Sequence, residues 1–368
     1  MTFSALTVQA DTVFIPQVPP IAGKAYIVTD YYSGRVISAQ NPDQRIEPAS
    51  LTKLMTEYLT FKAIKEKRLS LTQMLTMSPI GYKTEGSRMF LDPRVPASVS
   101  DLIRGMIVQS GNDACVTLAE GIAGSQEVFA QLMNSEAKRL GMTGTHFMNA
   151  TGLPDPNHYT TVADLDRLAT ALIRDFPEFY PIDSMKEFRY NNITQPNRNL
   201  LLFRDPSVDG LKTGFTAAAG YNMVASSRRD GRRVISVVVG TASAVARANE
   251  SAKLLNFALQ FFDTPKVYAA KQVLTHAKVY KGESDNVNIG VQQDVYVTVP
   301  KGQGGNIKAQ MSVTQPLIAP IKLGQVVGTL TLSLDGKTVL TRPLTTLSAV
   351  EEAGFFGRLI DGMKLKFR

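Results

Sequence analysis

The chain has no tryptophan, a single cysteine and only three histidines in 368 residues. Cys115 alone cannot close an internal disulfide, and so few thiols and imidazoles leave little with which to build a zinc centre. Cys115 follows Ser-Gly-Asn-Asp-Ala on an apparent helix and reads as a small buried apolar residue, not as a nucleophile. No run of about 18 apolar residues occurs, so no segment is read as spanning a bilayer. Long basic tracts are missing too. The formal charge of +8 comes from 40 basic and 32 acidic residues spread along the chain, which argues against nucleic acid as a partner.

What is present fits a soluble protein of two domains, with 44% hydrophobic residues. Residues 1–21 form an N-terminal segment. "MTFSALTVQA" ends in a small-residue pattern like a secretory cleavage site, but no positive charge precedes Lys24, and it is read as a truncated export signal, the alternative being an ordinary disordered terminus. "KAYIVTD" and "RVISAQ" alternate around a turn at Tyr31 to Gly34 and predict a hairpin. From Ser50 the period becomes helical, and Leu51, Leu54, Met55, Tyr58, Leu59 and Phe61 cover so much of the surface that the helix should be buried. A further helix stops at Gly141, and another opens on Thr161 and Asp164, spaced as a capping box. After about residue 208 strands return, with Asp230-Gly231 as a hairpin turn, followed by a closing helix, "ARANESAKLLNFALQFF". Beyond Asp263-Thr264-Pro265 short alternating runs describe a small all-β domain. The last segment places Phe355, Phe356, Leu359, Ile360, Met363 and Phe367 on one helical stripe, with Arg358, Lys364, Lys366 and Arg368 elsewhere. It is expected to lie on a membrane surface, the alternative being a helix docked on its own domain.

Within "EPASLTKLMTEYLT", Ser50 and Lys53 are three residues apart, a spacing that puts both side chains on one face of a helix. A serine hydroxyl needs a base, and a lysine becomes one only if burial or a neighbouring cation lowers its pKa. An S-x-x-K arises about once by chance in a chain of this length, so alone it carries little. Two other stretches add weight: Ser110-Gly111-Asn112 and Lys212-Thr213-Gly214 follow in the order of the penicillin-interacting enzymes. Ser284-Asp285-Asn286 spells the middle motif more closely but comes after Lys212 and is read as a turn.

With "EGSRMFL", "SGNDA", "NRNLLL" and "VDGLKTG", the chain from about residue 22 resembles the low-molecular-mass penicillin-binding proteins, specifically the D-alanyl-D-alanine carboxypeptidases with a β-rich C-terminal domain and an amphipathic anchor. The resemblance implies an α+β fold: a penicillin-binding/β-lactamase-like transpeptidase domain at 22–263, in which an antiparallel five-stranded sheet meets a helical cluster. An all-β domain at 264–348 and an anchor helix at 349–368 follow. It implies a serine hydrolase without cofactor that removes the terminal D-alanine from peptidoglycan stem peptides ending in D-Ala-D-Ala, is acylated by β-lactam antibiotics, and works on the periplasmic face of the inner membrane. Ser50 is the implied nucleophile and Lys53 its base. Ser110 relays the proton, Asn112 bonds Lys53 and the substrate amide, and Lys212 with Thr213 holds the carboxylate beside Gly214. Arg198 and Arg247 match family arginines near the carboxylate end, and the N–H groups of Ser50 and Phe215 form the oxyanion hole. Phe215 departs from the polar residue, such as histidine, that relatives often carry, which puts side-chain contacts there in question. A β-lactamase of this fold needs a glutamate in the loop "NATGLPDPNHYTT", which has none. The fold would also suit a D,D-endopeptidase or an inactive wall-binding protein, and the complete set of Ser50, Lys53, Ser110, Asn112 and Lys212 argues against inactivity.

Overall fold

The computed structural model describes residues 16–366, so the "MTFSALTVQA" stretch, Phe367 and Arg368 lie outside the described residues. Contacts divide the chain into two units, Pro16–Gln260 and the part from Phe261 onward.

The first unit is built on five antiparallel strands: β1 (Ala25–Asp30), β2 (Val36–Gln40), β3 (Val208–Thr216), β4 (Gly220–Arg229) and β5 (Arg232–Thr241), in the order β2-β1-β5-β4-β3. Strands from both ends of the unit thus meet, β1 pairing with β5 from Ala25↔Val239 to Asp30↔Val234. Alternation along the strands sorts side chains to two faces. Ile27, Val224, Ile235 and Val237 join the core under the helices, whereas Val28, Met223, Val234 and Val238 pack with Leu254, Leu255 and Ala258 on the other side. Both faces being covered explains why β1 is buried at every position. Asp230 and Gly231 take positive φ, the geometry of the tight turn expected between β4 and β5.

The helical middle comprises α1 (Lys53–Lys65), α2 (Val99–Val108), α3 (Asn112–Ala123), α4 (Gln126–Arg139) and α5 (Val162–Asp175), and α6 (Ala244–Phe261) closes the other face. The first five α-helices place α1 at the centre, packed against α2, α3, α4 and α5, which accounts for its apolar residues all round. Ser98, Ser125 and Thr161 cap α2, α4 and α5 by accepting from the N–H three residues on. The capping box at Thr161 is only half formed. The Asp164 carboxylate turns outward to the Gly144 N–H, the Thr145 hydroxyl and Arg167, because those donors draw it into joining two segments.

The second unit holds a six-stranded sheet of β6 (Val273–Tyr280), β7 (Asn286–Gly290), β8 (Lys308–Val313), β9 (Leu317–Ile318), β10 (Val326–Leu334) and β11 (Lys337–Thr346), ordered β8-β10-β11-β7-β6-β9. Its pairings are antiparallel except β6 with β9. Val350 is buried in this unit's core and bridges to Ile321, and the Ala353 N–H donates to the Lys281 carbonyl. Ser284 and Asp285 form a bend that leads into β7 at Asn286, the serine hydroxyl donating to the Asn286 carbonyl. The terminal helix α7 (Phe355–Lys366) is tied on by the Lys281 N–H, which donates to Asp361 at 2.7 Å, while Phe355, Phe356, Leu359, Ile360 and Met363 are exposed.

Candidate active site

Ser50 does not open the α-helix itself. It sits in a 3-10 turn, Ala49–Thr52, that runs straight into α1, and the turn begins with Ala49 at φ 48°. Two glycines make room for this. Gly214 on β3 lets the strand approach so closely that a Cβ there would lie 3.2 Å from the Ser50 nitrogen. Gly152 faces the turn from the other side, where a Cβ would meet the Ala49 carbonyl oxygen at 1.8 Å.

Lys53, the first residue of α1, is 1% exposed. Its Nζ donates to Ser50 Oγ at 3.0 Å and to the Thr151 carbonyl at 2.7 Å. Burial lowers its pKa to about 8, the positive charge of Arg198 adding to the effect. The expected bond from Lys53 to Asn112 is not made. The Asn112 amide donates instead to the Glu85 carbonyl and, among the described residues, its Oδ1 has no partner, while Lys53 donates to Ser50 and the Thr151 carbonyl. Asn149 builds that alternative partner by accepting from the Thr151 and Gly152 N–H groups and the Thr151 hydroxyl. An Asn-Ala-Thr-Gly stretch is a turn signal in the sequence, but nothing in it says that the turn aims a carbonyl at Lys53.

Ser110 lies between α2 and α3 at φ 64°, 2% exposed, and among the described residues its Oγ has no partner. Ser50, Ser110, Arg198, Thr213, Gly214, Phe215 and Arg247 line one cavity of about 760 Å³. Lys212, on β3, is buried beside it and donates to the Thr213 carbonyl at 3.2 Å. Its pKa is pushed well down by burial and by the cations Lys53, Arg198 and Arg247. Arg247 reaches from α6 to the Gly214 carbonyl at 3.1 Å and lies over the Tyr221 ring. Arg198 is exposed at the rim and accepts from Arg247 only through its backbone carbonyl. Phe215 is half exposed, its ring 4.3 Å from that of Tyr221. Cys115 is fully buried, donates to the Ala150 carbonyl, and has its thiol pushed up to about 11 by burial, which removes it as a nucleophile.

Sequence reading missed three buried titratable residues here. His158 lies against the serine turn, its Nε2 2.9 Å from Thr52 Oγ1. Glu57, one turn beyond Lys53 on α1, and Asp183, in the 3-10 turn Tyr180–Ser184, are both essentially inaccessible.

Residues 12–243 match the family described as D-alanyl-D-alanine carboxypeptidase, and residues 262–352 the family described as penicillin-binding protein 5, C-terminal domain. D-alanyl-D-alanine carboxypeptidase DacC of Escherichia coli (strain K12) is 45% identical over 359 residues, covering 95% of this chain and 90% of the relative. Among solved structures, penicillin binding protein 5 from Haemophilus influenzae has a TM-score of 0.89 at 40% identity, over 92% of this chain and 100% of that one. Penicillin-Binding Protein D2 from Listeria monocytogenes, solved in its ampicillin-bound form, has a TM-score of 0.60 at 32% identity, over 64% of this chain and 97% of the other.

Proposed function

Because the chain belongs to the D-alanyl-D-alanine carboxypeptidase family, we propose that it is a serine-type carboxypeptidase that removes the terminal D-alanine from peptidoglycan stem pentapeptides and is acylated by β-lactams. The observation that carries the reading is the 3.0 Å contact between Ser50 Oγ and a dry, weakened Lys53 ammonium. Ser50 Oγ attacks the carbonyl carbon of the penultimate D-alanine while its proton passes to neutral Lys53. The N–H groups of Ser50 and Phe215 receive the oxyanion. As the C–N bond breaks, Ser110 hands its proton to the leaving amine and takes one from Lys53, so that D-alanine departs with Ser110 restored and Lys53 neutral again. Water then attacks the ester while Lys53 takes its proton, and Lys53 returns that proton to Ser50 Oγ as the ester C–O bond breaks and the shortened peptide is released.

Lys212, Thr213 and Arg247, with Arg198 at the rim, form the cationic end that holds the substrate's free carboxylate. Two neighbouring buried ammoniums cannot both stay charged without cost. A carboxylate arriving at Lys212 favours the proton there and so leaves Lys53 neutral. Asn112, with a free Oδ1, accepts from the substrate amide.

Peptidoglycan lies outside the inner membrane, so the chain works on the periplasmic face, in cell-wall synthesis and cell shape, held to the lipid surface by the exposed apolar side of α7. No helix among the described residues is long and apolar enough to cross a membrane. The test is direct: incubate the protein with a stem pentapeptide and a fluorescent penicillin, and measure D-alanine and covalent label. Both should appear, and Ser50→Ala should abolish both. Label without D-alanine release would point to an inactive wall-binding protein, and rapid loss of label as hydrolysed antibiotic to a β-lactamase.

A further inference from the structure

Glu57 is 1% exposed and Asp183 fully buried, and the turn that carries Asp183 packs on β3, the strand of Lys212. Among the described residues no other residue gives a well-formed hydrogen bond to Glu57 Oε1 or to either oxygen of Asp183, and only Asp183's own backbone N–H turns towards its carboxyl. Burying three carboxyl oxygens without donors is costly. The two carboxyls lie within hydrogen-bonding reach of each other, and such a bond requires that one of them carry a proton. We propose that Glu57 and Asp183 share one proton, and that the single negative charge left on the pair is the buried counter-charge that positions the Lys212 ammonium.

Burial and Asp183 push the Glu57 pKa well up, and burial raises Asp183 to about 7, so the pair as a unit gives up its first proton near neutrality and keeps its second. Both carboxyls feel Lys212. Around Lys212 the other charges repel it: Lys53 from α1, Arg198 from the loop before β3, and Arg247 from α6. The acidic group that offsets them is Glu57. Asp209 on β3 also faces Asp183, but it is held by Arg233 from β5 at 2.7 Å and by the Tyr180 hydroxyl at 2.8 Å. On α2, packed on the same turn, Asp101 and Arg104 pair with each other at 3.6 Å in partly exposed positions. The pair touches no reacting atom, so Glu57 and Asp183 are positioning residues.

The role given to Lys212 rests on the carboxypeptidase reading, whereas the shared proton does not. Glu57→Gln and Asp183→Asn each leave one carboxylate accepting from an amide, so each keeps one negative charge. The double variant keeps none. The pH profile of kcat/KM on the pentapeptide should therefore lose its basic limb about one unit lower in the double variant, because an unsupported Lys212 gives up its proton sooner. Each single variant should move that limb less than half as far. KM should rise about tenfold for the free-acid peptide in the double variant and change little for its amide. A double variant with the wild-type limb, or a single that moves it as far as the double, overturns the counter-charge. Infrared difference spectra of isotope-labelled protein at neutral pH read the proton without activity. A protonated carboxyl band, beyond the one from Asp166, whose pKa burial raises to about 7, should be present in the wild type and absent from each single variant. A wild type lacking it, or singles retaining it, overturns the shared proton even if the double variant fails to fold. An enzyme that releases no D-alanine but shows the band would refute the carboxypeptidase reading alone.

Discussion

A lysine of ordinary basicity is almost wholly ammonium near neutral pH and so cannot take the Ser50 proton, and burial is what changes this for Lys53. Its pKa of about 8 means that the neutral, proton-accepting fraction grows as pH rises through that value. The acylation rate by penicillin should accordingly climb through an acid limb near that pH. Lys53→Ala should lose acylation by roughly a thousandfold although Ser50 remains, general-base removal ordinarily costing about 10² to 10⁴. Stopped-flow labelling measures both, and a rate within a few fold of wild type would make Lys53 structural. His158 acts on the same turn through stability. The Met148 N–H donates to its Nδ1 at 3.3 Å, so Nε2 carries the proton and donates to Thr52. Burial lowers its pKa from 6.5 to about 4. With the folded value depressed, the unfolded chain binds more protons in that window, so stability is lost as pH falls from 6.5 through 4. Urea unfolding should show wild type losing roughly 3 kcal/mol from this group over that range, and His158→Gln should be flatter by about that amount. Parallel curves for the two would remove His158 as the source.

At the scale of elements, the serine turn is clamped between β3 and the loop around Thr151, and each clamp closes on a glycine. Gly152 has φ +84° as well as the 1.8 Å approach to Ala49, so an added methyl meets both strain and backbone overlap. Gly152→Ala should lower unfolding stability by roughly 2 kcal/mol or more and displace Ser50, cutting kcat/KM at least about tenfold. A variant with wild-type thermal midpoint and activity would show that the loop yields freely. The strands, the helix that follows Ser50 and the turn at Asp230-Gly231 were legible because each is local: period, cap and turn chemistry lie within a few residues. The short S-x-x-K, S-x-N and K-T-G spellings were legible for the same reason. What stayed hidden depends on distant segments meeting. Thr151 is 98 residues from the lysine it holds, and Asp183 faces Glu57 from a turn more than a hundred positions on. Asp164 likewise leaves its own capping box for donors about 20 residues earlier, at Gly144 and Thr145.

For the whole molecule the open matter is where the enzyme works, and the terminal helix decides it. The described residues of the candidate site belong to Pro16–Gln260, whereas α7 belongs to the other unit. Asp361 ties α7 to the Lys281 N–H, and the pairings of Val350 and Ala353 continue the β unit almost to the helix, so a cut after Gly354 removes the helix and spares the sheet. A helix docked on its own domain would bury the apolar stripe, but Phe355 and Phe356 are 69% and 78% exposed. Burying each such side chain at a lipid surface is worth up to about 1.5–3 kcal/mol, and basic residues nearby add attraction to anionic headgroups. The full chain should therefore sediment with anionic vesicles, the chain ending at Gly354 should stay in the supernatant, and both should hydrolyse a small soluble peptide equally fast. Phe356→Glu should weaken vesicle binding by roughly ten- to a hundredfold, the loss of one such side chain, with no effect on soluble hydrolysis. If the shortened chain bound vesicles as tightly as the full one, the anchor would lie elsewhere. If it lost activity on the soluble peptide, the helix would be supporting the catalytic unit, not carrying it to its substrate.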